Sequence, residues 1–362
     1  MLKKLLIAAA LAAGLPLLIV ALYLAWMTAS DFRPKPALDL EIRNNASVNL
    51  KKGVPFSVLT FNIGYCGMDA GADFFMDGGR GSRGRSPEAT QANLRRISAF
   101  LAGEKSDLVL LQEVDRRATR SYRVDQVEEL ERSLASLGSV FAVNYKVPWV
   151  PVPLTRPMGA VHSGLLTLSR FHLLAAIRRQ LPGNEAWPRQ LAELDRCLSE
   201  CRLSLEGGGE LVLYNLHLSV FDKGGGIRRQ QLADLRGRLL AERKKGNYVI
   251  AGGDWNHGLR GCARLPGEPA GAPGRFAATM APSSWYRELP ADFTPPGFSW
   301  ALDPTTPTVR SSTVAYKPGV NFVAVIDGFL VSDNIEVQQV AVRDLAFQNS
   351  DHNPVAAVLV LR

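Results

Sequence analysis

Apolar runs rich in β-branched residues recur along the whole chain, at 54–62, 107–112, 160–169, 210–218, 247–252, 322–331 and 354–361. Segments of this length and composition predict buried strands, because they suit a pleated surface that is covered on both faces. Helical patterns lie between some of them, notably Pro87 to Leu101 and Ile227 to Arg243, where apolar residues recur at three and four. Hairpin-like strand pairs stand beside helical crossovers, so the expected class is α/β, with two sheets packed together and helices outside. No segment repeats at a period of about 20 to 50 residues, which argues against a solenoid or propeller. With 46% hydrophobic residues in 362, the chain can bury a large core without staples, which excludes disorder and a disulfide scaffold.

One apolar stretch is of another kind. Leu5 to Met27 is 23 residues without a charge, preceded by Lys3 and Lys4 and carrying Tyr23 and Trp26 near its far end. As a helix it would be about 35 Å long, enough to cross a hydrocarbon core of about 30 Å. Gly14 and Pro16 are tolerated in such a helix. A cleaved signal peptide competes with this reading, given the small Ala29 and Ser30, but its apolar region ordinarily runs about 7 to 15 residues. Residues 1–30 are therefore expected to be a single-pass membrane anchor with one transmembrane helix. The polar stretch 31–53, with Pro34 and Pro36, is expected to be a tether, and 54–362 one large domain. Lys3 and Lys4 face Arg33, Lys35 and Arg43 across the stretch, so charge counting leaves its orientation open. The working expectation places the domain outside the cytoplasm.

The net charge of +8, from 42 Lys+Arg against 34 Asp+Glu, permits an anionic partner without choosing between nucleic acid and a phospholipid surface. Cys197 and Cys201 lie four apart with no His or second pair to complete a zinc site, and a local disulfide and free thiols are both open. Two irregular stretches interrupt the strands. From His257 to Arg310 proline and glycine are dense, which predicts a wandering loop. Gly64 to Ser86 carries Asp69, Asp73 and Asp77, then Arg80, Arg83 and Arg85, and reads as a solvated loop or as part of a site.

Polar residues of catalytic type stand at the ends of the apolar strands. They are Asn62, then Gln112 and Glu113, His217, Asp254 with Asn256, Asp327, and Asp351 with His352. Burying an isolated carboxylate costs several kcal/mol unless it is paired or bound to a metal, so these interruptions suggest one shared site. Each has a bland alternative: a structural His217, a turn-capping Asp254, a surface Glu113, an N-capping Asp351. The combination suits cleavage of a phosphate ester. A hard dication prefers oxygen ligands such as Glu113 and an Asn or Asp neighbour. Attack by water needs a base and the leaving group needs charge stabilisation, tasks that two His and two Asp can share. Asn256 can donate to a phosphoryl oxygen without adding negative charge. A serine hydrolase and a P-loop NTPase are disfavoured, since neither G-x-S-x-G nor G-x-x-x-x-G-K-[ST] occurs.

The ordered set "TFNIG", "LLQEVD", "YNLHLS", "GGDWN", "VIDGFLVS" and "SDHNPV", from about residue 54 to the C-terminus, resembles the endonuclease/exonuclease/phosphatase superfamily. "HSGLLTLSRF" at 162–171 is similar to a further strand of that superfamily. The resemblance implies a four-layer α/β/β/α sandwich of two mixed sheets and Mg²⁺-dependent phosphoester hydrolysis, with Mn²⁺ as an alternative ion. It implies Glu113 as principal metal ligand, Asn62 beside it and Asp351 as a further ligand. Asp254 would orient or deprotonate the attacking water and Asn256 would hold a phosphate oxygen. His352, oriented by Asp327, would act as base or phosphate stabiliser, with His217 on the same phosphate. The aromatic between Asp254 and Asn256 is Trp255, where the family often has Phe.

Three functions follow. The first is a membrane-tethered phosphodiesterase or phosphatase acting on a phospholipid headgroup or related extracytoplasmic ester. The second is an anchored nuclease acting on DNA or RNA, for which Arg80 and Arg83, with Arg85, Arg95 and Arg96, would contact phosphates. The third is a non-catalytic protein that binds a phosphate ligand. A lipid enzyme should expose apolar residues beside the site, and Phe74, Phe75, Met76 and the loop from Trp285 to Trp300 are candidates. No obligate protein partner is implied.

Overall fold

The structure is a computed structural model that describes residues 1–259, 261 and 276–362, with backbone only for 6–13 and 223. Its helices are α1 (Leu2–Ala29), α2 (Pro87–Glu104), α3 (Gln126–Ser133) and α4 (Gly226–Lys244). The strands of the first half are β1 (Ala37–Asp39), β2 (Ile42–Arg43), β3 (Phe56–Asn62), β4 (Leu108–Asp115), β5 (Gly138–Val150), β6 (Gly159–Ser169) and β7 (Leu173–Gln180). Those of the second half are β8 (Cys197–Ser204), β9 (Glu210–His217), β10 (Tyr248–Asp254), β11 (Phe298–Ala301), β12 (Val309–Arg310), β13 (Val323–Ala324), β14 (Asp327–Ser332), β15 (Ile335–Val342) and β16 (Val355–Leu361).

Two seven-stranded mixed sheets carry the fold, one ordered β1-β7-β8-β9-β10-β14-β11 and the other β15-β16-β3-β4-β6-β5-β2. Alternation along each strand builds the layers. Val58, Leu108, Leu110, Leu213, Ile250 and Val331 turn inward and form the core between the sheets. Leu59, Phe61, Val109 and Leu111 turn outward and bury Leu94, Ile97 and Leu101 of α2 with Val127 and Leu130 of α3. On the other side Val212, Tyr214 and Val249 cover Leu232, Leu235 and Leu239 of α4. An α/β sandwich is the result. Helix α2 starts where Ser86 accepts a hydrogen bond from the Ala89 N–H and Pro87 opens the first turn, a favourable N-terminal arrangement.

Two expectations need amendment, and one open alternative is settled. The stretch 31–53, expected to be a free polar tether, lies against the domain: β1 pairs with β7 of one sheet and β2 with β5 of the other. The region 257–310, expected to wander, contributes β11, which extends the first sheet by pairing with β14; residues 260 and 262–275 of it lie outside the described residues. Cys66, Cys197 and Cys201 are free and buried. Cys197 and Cys201 stand four apart on β8, about 13 Å in an extended strand, beyond the reach of a disulfide. Cys262 lies outside the described residues. The uncharged stretch falls within α1, of which the side chains of 6–13 are not described. Among the described residues no helix is long and apolar enough to cross a membrane.

Close approach of β9 and β10 depends on glycine. Gly253 has φ +148°, and a Cβ on it would collide with the Leu216 carbonyl. Gly253→Ala is expected to lower stability by about 1–3 kcal/mol, read from denaturant unfolding, since the strands must separate to admit a methyl group. A second expectation concerns Asp195, whose carboxyl is pushed up to about 7 from an ordinary 3.8 by burial, against the pull of Arg178, and further by Asp31. The folded chain thus binds this proton more tightly than the unfolded one. Its contribution to stability is present at acid pH and lost as the pH rises from about 4 through 7. Asp195→Asn should therefore raise the melting temperature at pH 8 and leave it unchanged at pH 4; an equal gain at both would refute the assignment.

Candidate active site

One rung of the first sheet aligns three of the strand-end residues. Asp254 is the register partner of His217 on β9 and of Asp327 on β14. His352, just before β16, brings its Nδ1 to 2.9 Å from Asp327 Oδ2. Its Nε2 then lies 3.8 Å from Asp254 Oδ2, and His217 Nε2 lies 3.4 Å from the same oxygen. Asn62, at the end of β3 in the other sheet, donates through Nδ2 to Asp254 at 3.0 Å and to Glu113 at 3.2 Å. Ser350 donates to the Asn62 carbonyl at 2.8 Å, which fixes the loop bearing Asp351 and His352 against β3.

Glu113 owes its direction to an irregularity in β4. The register with β6 shifts between Leu111 and Val114, and Glu113 takes φ +54°. A bulge of this kind re-aims side chains. Gln112 consequently turns into the interface between the sheets, where Nε2 donates to Asn215 Oδ1 at 2.8 Å, while Glu113 lines the pocket. Arg120 Nη1 lies 3.9 Å from Glu113, and the same guanidinium holds Asp115 with two hydrogen bonds of 2.9 and 3.1 Å. It also stacks over the Tyr65 ring, 4.0 Å from the centroid.

Burial governs the electrostatics. It pushes His217 well below the ordinary histidine range, with Arg196 and His352 adding to the effect, which favours the neutral imidazole. Burial also pushes the Asp254 carboxyl up. Against burial, the Asp327 carboxylate raises His352 and favours its imidazolium form. Glu113 is raised by burial, eased by Arg120, and raised further by Asp351.

The donor set fits a hard divalent cation. Glu113 and Asp351 line the same pocket and repel one another, a conflict that a cation between them would relieve. Gly64 leaves room there, since a Cβ on it would come within 2.9 Å of Asp351 Oδ1. Asn62 is placed differently from the expected ligand: its Oδ1 accepts from the Gly64 N–H at 3.0 Å and its nitrogen faces Glu113, so it bridges carboxylates. Asp254, Asp327 and His352 offer atoms within 4.8 Å of one another and form a second grouping that could hold a metal ion. There His352 Nδ1 is already engaged by Asp327.

Glu113, His217, Asp254, Asp351 and His352 line a cavity of about 280 Å³ that also contains Asn256, whose Nδ2 donates to the Leu218 carbonyl at 2.7 Å. Arg80 and Arg83 are not brought to it. The Arg80 backbone N–H donates to Asp73, and Arg83 Nε donates to the Pro157 carbonyl at 2.7 Å. The segment 64–86 is no solvated loop: Asp77 accepts from Trp285 Nε1 and from the Ser312 N–H, and Phe74, Phe75 and Met76 form part of the cavity wall. Three buried cations on that wall escaped the sequence reading: Arg120, Arg196 and Arg310. Arg196 donates to the His217 carbonyl at 3.1 Å, and Arg310 donates to the Asp69 carbonyl at 2.7 Å. Buried guanidinium groups beside a reaction centre suit an anionic substrate.

Comparison with known proteins agrees with this geometry. Residues 59–352 match the model of the Endonuclease/Exonuclease/phosphatase family. No curated protein matches. Among solved structures, an endonuclease/exonuclease/phosphatase from Beutenbergia cavernae DSM 12333 is 20% identical, with TM-score 0.53, covering 85% of this chain and 72% of its own. The human Nocturnin catalytic domain with bound sulfate anion is 16% identical, with TM-score 0.50, covering 89% and 98%. D. rerio TDP2 complexed with single strand DNA product is 15% identical, with TM-score 0.51, covering 84% and 98%. At such identities these likenesses establish the fold alone, whereas the family match spans most of the chain. The chain belongs to the Endonuclease/Exonuclease/phosphatase family, whose members are metal-dependent hydrolases of phosphoester bonds.

Proposed function

We propose that this protein is a single-pass, membrane-anchored, Mg²⁺-dependent phosphoester hydrolase, with Mn²⁺ as an alternative ion and an extracytoplasmic phospholipid as the favoured substrate. The observation that carries the reading is a cavity lined by two unlike sets of residues. It is lined by Glu113, Asp351, Asp254 and His352 and also by Val152 and by Phe74, Phe75, Val150, Met158 and Leu194, which pack in one apolar cluster. An ester with a charged phosphate and an apolar remainder matches both. The anchor rests on the uncharged stretch from Leu5 to Met27. The nuclease alternative calls on Arg80 and Arg83, which lie off the cavity, on Arg85, which is paired with Asp69 at 2.8 Å, and on Arg95 and Arg96, which are exposed on α2 and also lie off the cavity.

A divalent cation held by Glu113 and Asp351 would neutralise charge on a phosphoryl oxygen. Asp254, raised by burial and fixed by Asn62 and the Asn256 N–H, accepts a proton from the attacking water. His352, charged through Asp327, donates to the phosphoryl group, and neutral His217 supports the same oxygens. Arg120 and Arg196 add fixed positive potential without leaving their own partners.

The chain should hydrolyse a phosphodiester, tested side by side on phospholipid vesicles, DNA, RNA and bis(p-nitrophenyl) phosphate, and EDTA should abolish turnover. Glu113→Gln is expected to reduce turnover by about 10²-fold or more and to remove the rise in melting temperature that Mg²⁺ gives the parent protein. Asp327→Asn is expected to lower kcat by roughly 10²–10⁴-fold with little change in KM, because it alters the charge and orientation of His352. In contrast, Arg80→Ala with Arg83→Ala should leave lipid turnover within about a factor of two; a large loss would restore the nuclease-type phosphate contacts to consideration.

A further inference from the structure

The last turns of α1 are fastened beside the mouth of the cavity. Met27 is 1% exposed and packs in one cluster with Val150 and Met158, residues that also line the cavity. Tyr23 donates its hydroxyl hydrogen to the Trp149 carbonyl at 2.9 Å, and Trp187 Nε1 donates to Thr28 Oγ1 at 3.2 Å. Helix and reaction centre therefore share an apolar wall. Just past Trp149 the β5–β6 connection carries Val152 and Leu154, 43% and 85% exposed, and Trp187 is 62% exposed. Upstream of Tyr23 the helix continues as uncharged residues, with Leu17, Ile19 and Leu22 more than half exposed. Arg156, two residues beyond Leu154, is exposed as well.

Exposed apolar groups on a loop tip, tyrosine and tryptophan at the end of an apolar helix, and a nearby cation are what a membrane–water interface favours. The exposed apolar groups are unfavourable in water alone. Their continuity with α1 identifies the occupant, because a bilayer that receives the helix also meets the surface to which the end of the helix is fastened.

We propose that Val152, Leu154 and Trp187, with the Tyr23–Trp26 end of α1, form a bilayer-seating surface that lays the cavity mouth on the leaflet. The substrate is then a phospholipid of that same leaflet, taken up with its apolar part along the Phe74–Val150 wall. This rests on the anchored-hydrolase reading, and it adds a fixed orientation that a flexible tether would not provide.

The test uses the full chain in vesicles of phosphatidylcholine and phosphatidylglycerol, with Cys262→Ser so that the buried Cys66, Cys197 and Cys201 stay unlabelled. A fluorophore is placed at Leu154→Cys or, as control, at Glu206→Cys, in the turn between β8 and β9 at the end of the sheet away from His217. The label at 154 should be quenched by nitroxide lipid and shielded from iodide, and the label at 206 should behave oppositely. Equal iodide access at both positions in vesicle-bound protein would overturn the seating surface while leaving the anchor intact. Failure of the chain to float with vesicles would overturn the anchor and this inference together. As an independent readout, Leu154→Glu with Trp187→Glu should slow vesicle lipid turnover about tenfold while hydrolysis of bis(p-nitrophenyl) phosphate stays constant. Equal turnover of lipid by parent and variant would likewise overturn the proposal.

Discussion

Everything at the reaction centre depends on one amide. Asn62 ends a strand of one sheet and donates to Glu113 of that sheet and to Asp254 of the other. Without it the part-buried Glu113 and the buried Asp254 would face each other across the seam between the sheets. Beneath that seam the core is apolar but for a few polar bonds between the sheets, among them Gln112 to Asn215 at 2.8 Å, Arg178 Nε to the Val143 carbonyl at 2.7 Å, and the Tyr248 hydroxyl to the Arg362 carbonyl at the end away from the site. Packing thus supplies the cohesion, and these few bonds supply the alignment.

Concentrating acidic groups in a buried place is unfavourable unless cations or donors answer them. Here the answers come from different parts of the chain. Arg120 sits near Glu113 while bound to Asp115, His352 answers Asp327, and the Asn256 N–H answers Asp254 at 2.9 Å. Glu113 at φ +54° adds backbone strain at the same spot. The surrounding strands must over-determine the site for it to persist, which is why it stands at the ends of central strands and not on free loops.

How much of this was legible in the sequence follows from what an apolar pattern can report. Strands buried on both faces, such as Tyr248–Asp254, announce themselves as continuous apolar runs. Strand β8 does not, because Glu200 and Arg202 interrupt it. Only the fold shows them to be joined in a network with Arg179 and Glu242 at 2.8 Å spacings. Strand β15 is half exposed along its length at a sheet edge and reads as polar. Site residues at strand ends were legible for the opposite reason, as polar breaks in apolar runs. Arg120, Arg196 and Arg310 were not, since a long guanidinium reaches the cavity from positions whose neighbours in sequence give no sign of it. For Asn62 the sequence gives the position at a strand end but not the direction of its amide, which is set by partners distant in the chain.

The segment 37–43 bears on solubility as well as on shape. By pairing Ala37–Asp39 with Ile177–Arg179 and Ile42 with Val140, it occupies one hydrogen-bonding edge of each sheet at once. Its own outer side is poor for further pairing, being three residues long in β1 and preceded by Pro34, Lys35 and Pro36. A shortened chain that began after this segment would keep its reaction centre yet present the backbone of Leu173–Gln180 to other copies. The same few residues that look like a connector therefore act as a guard against aggregation through sheet edges.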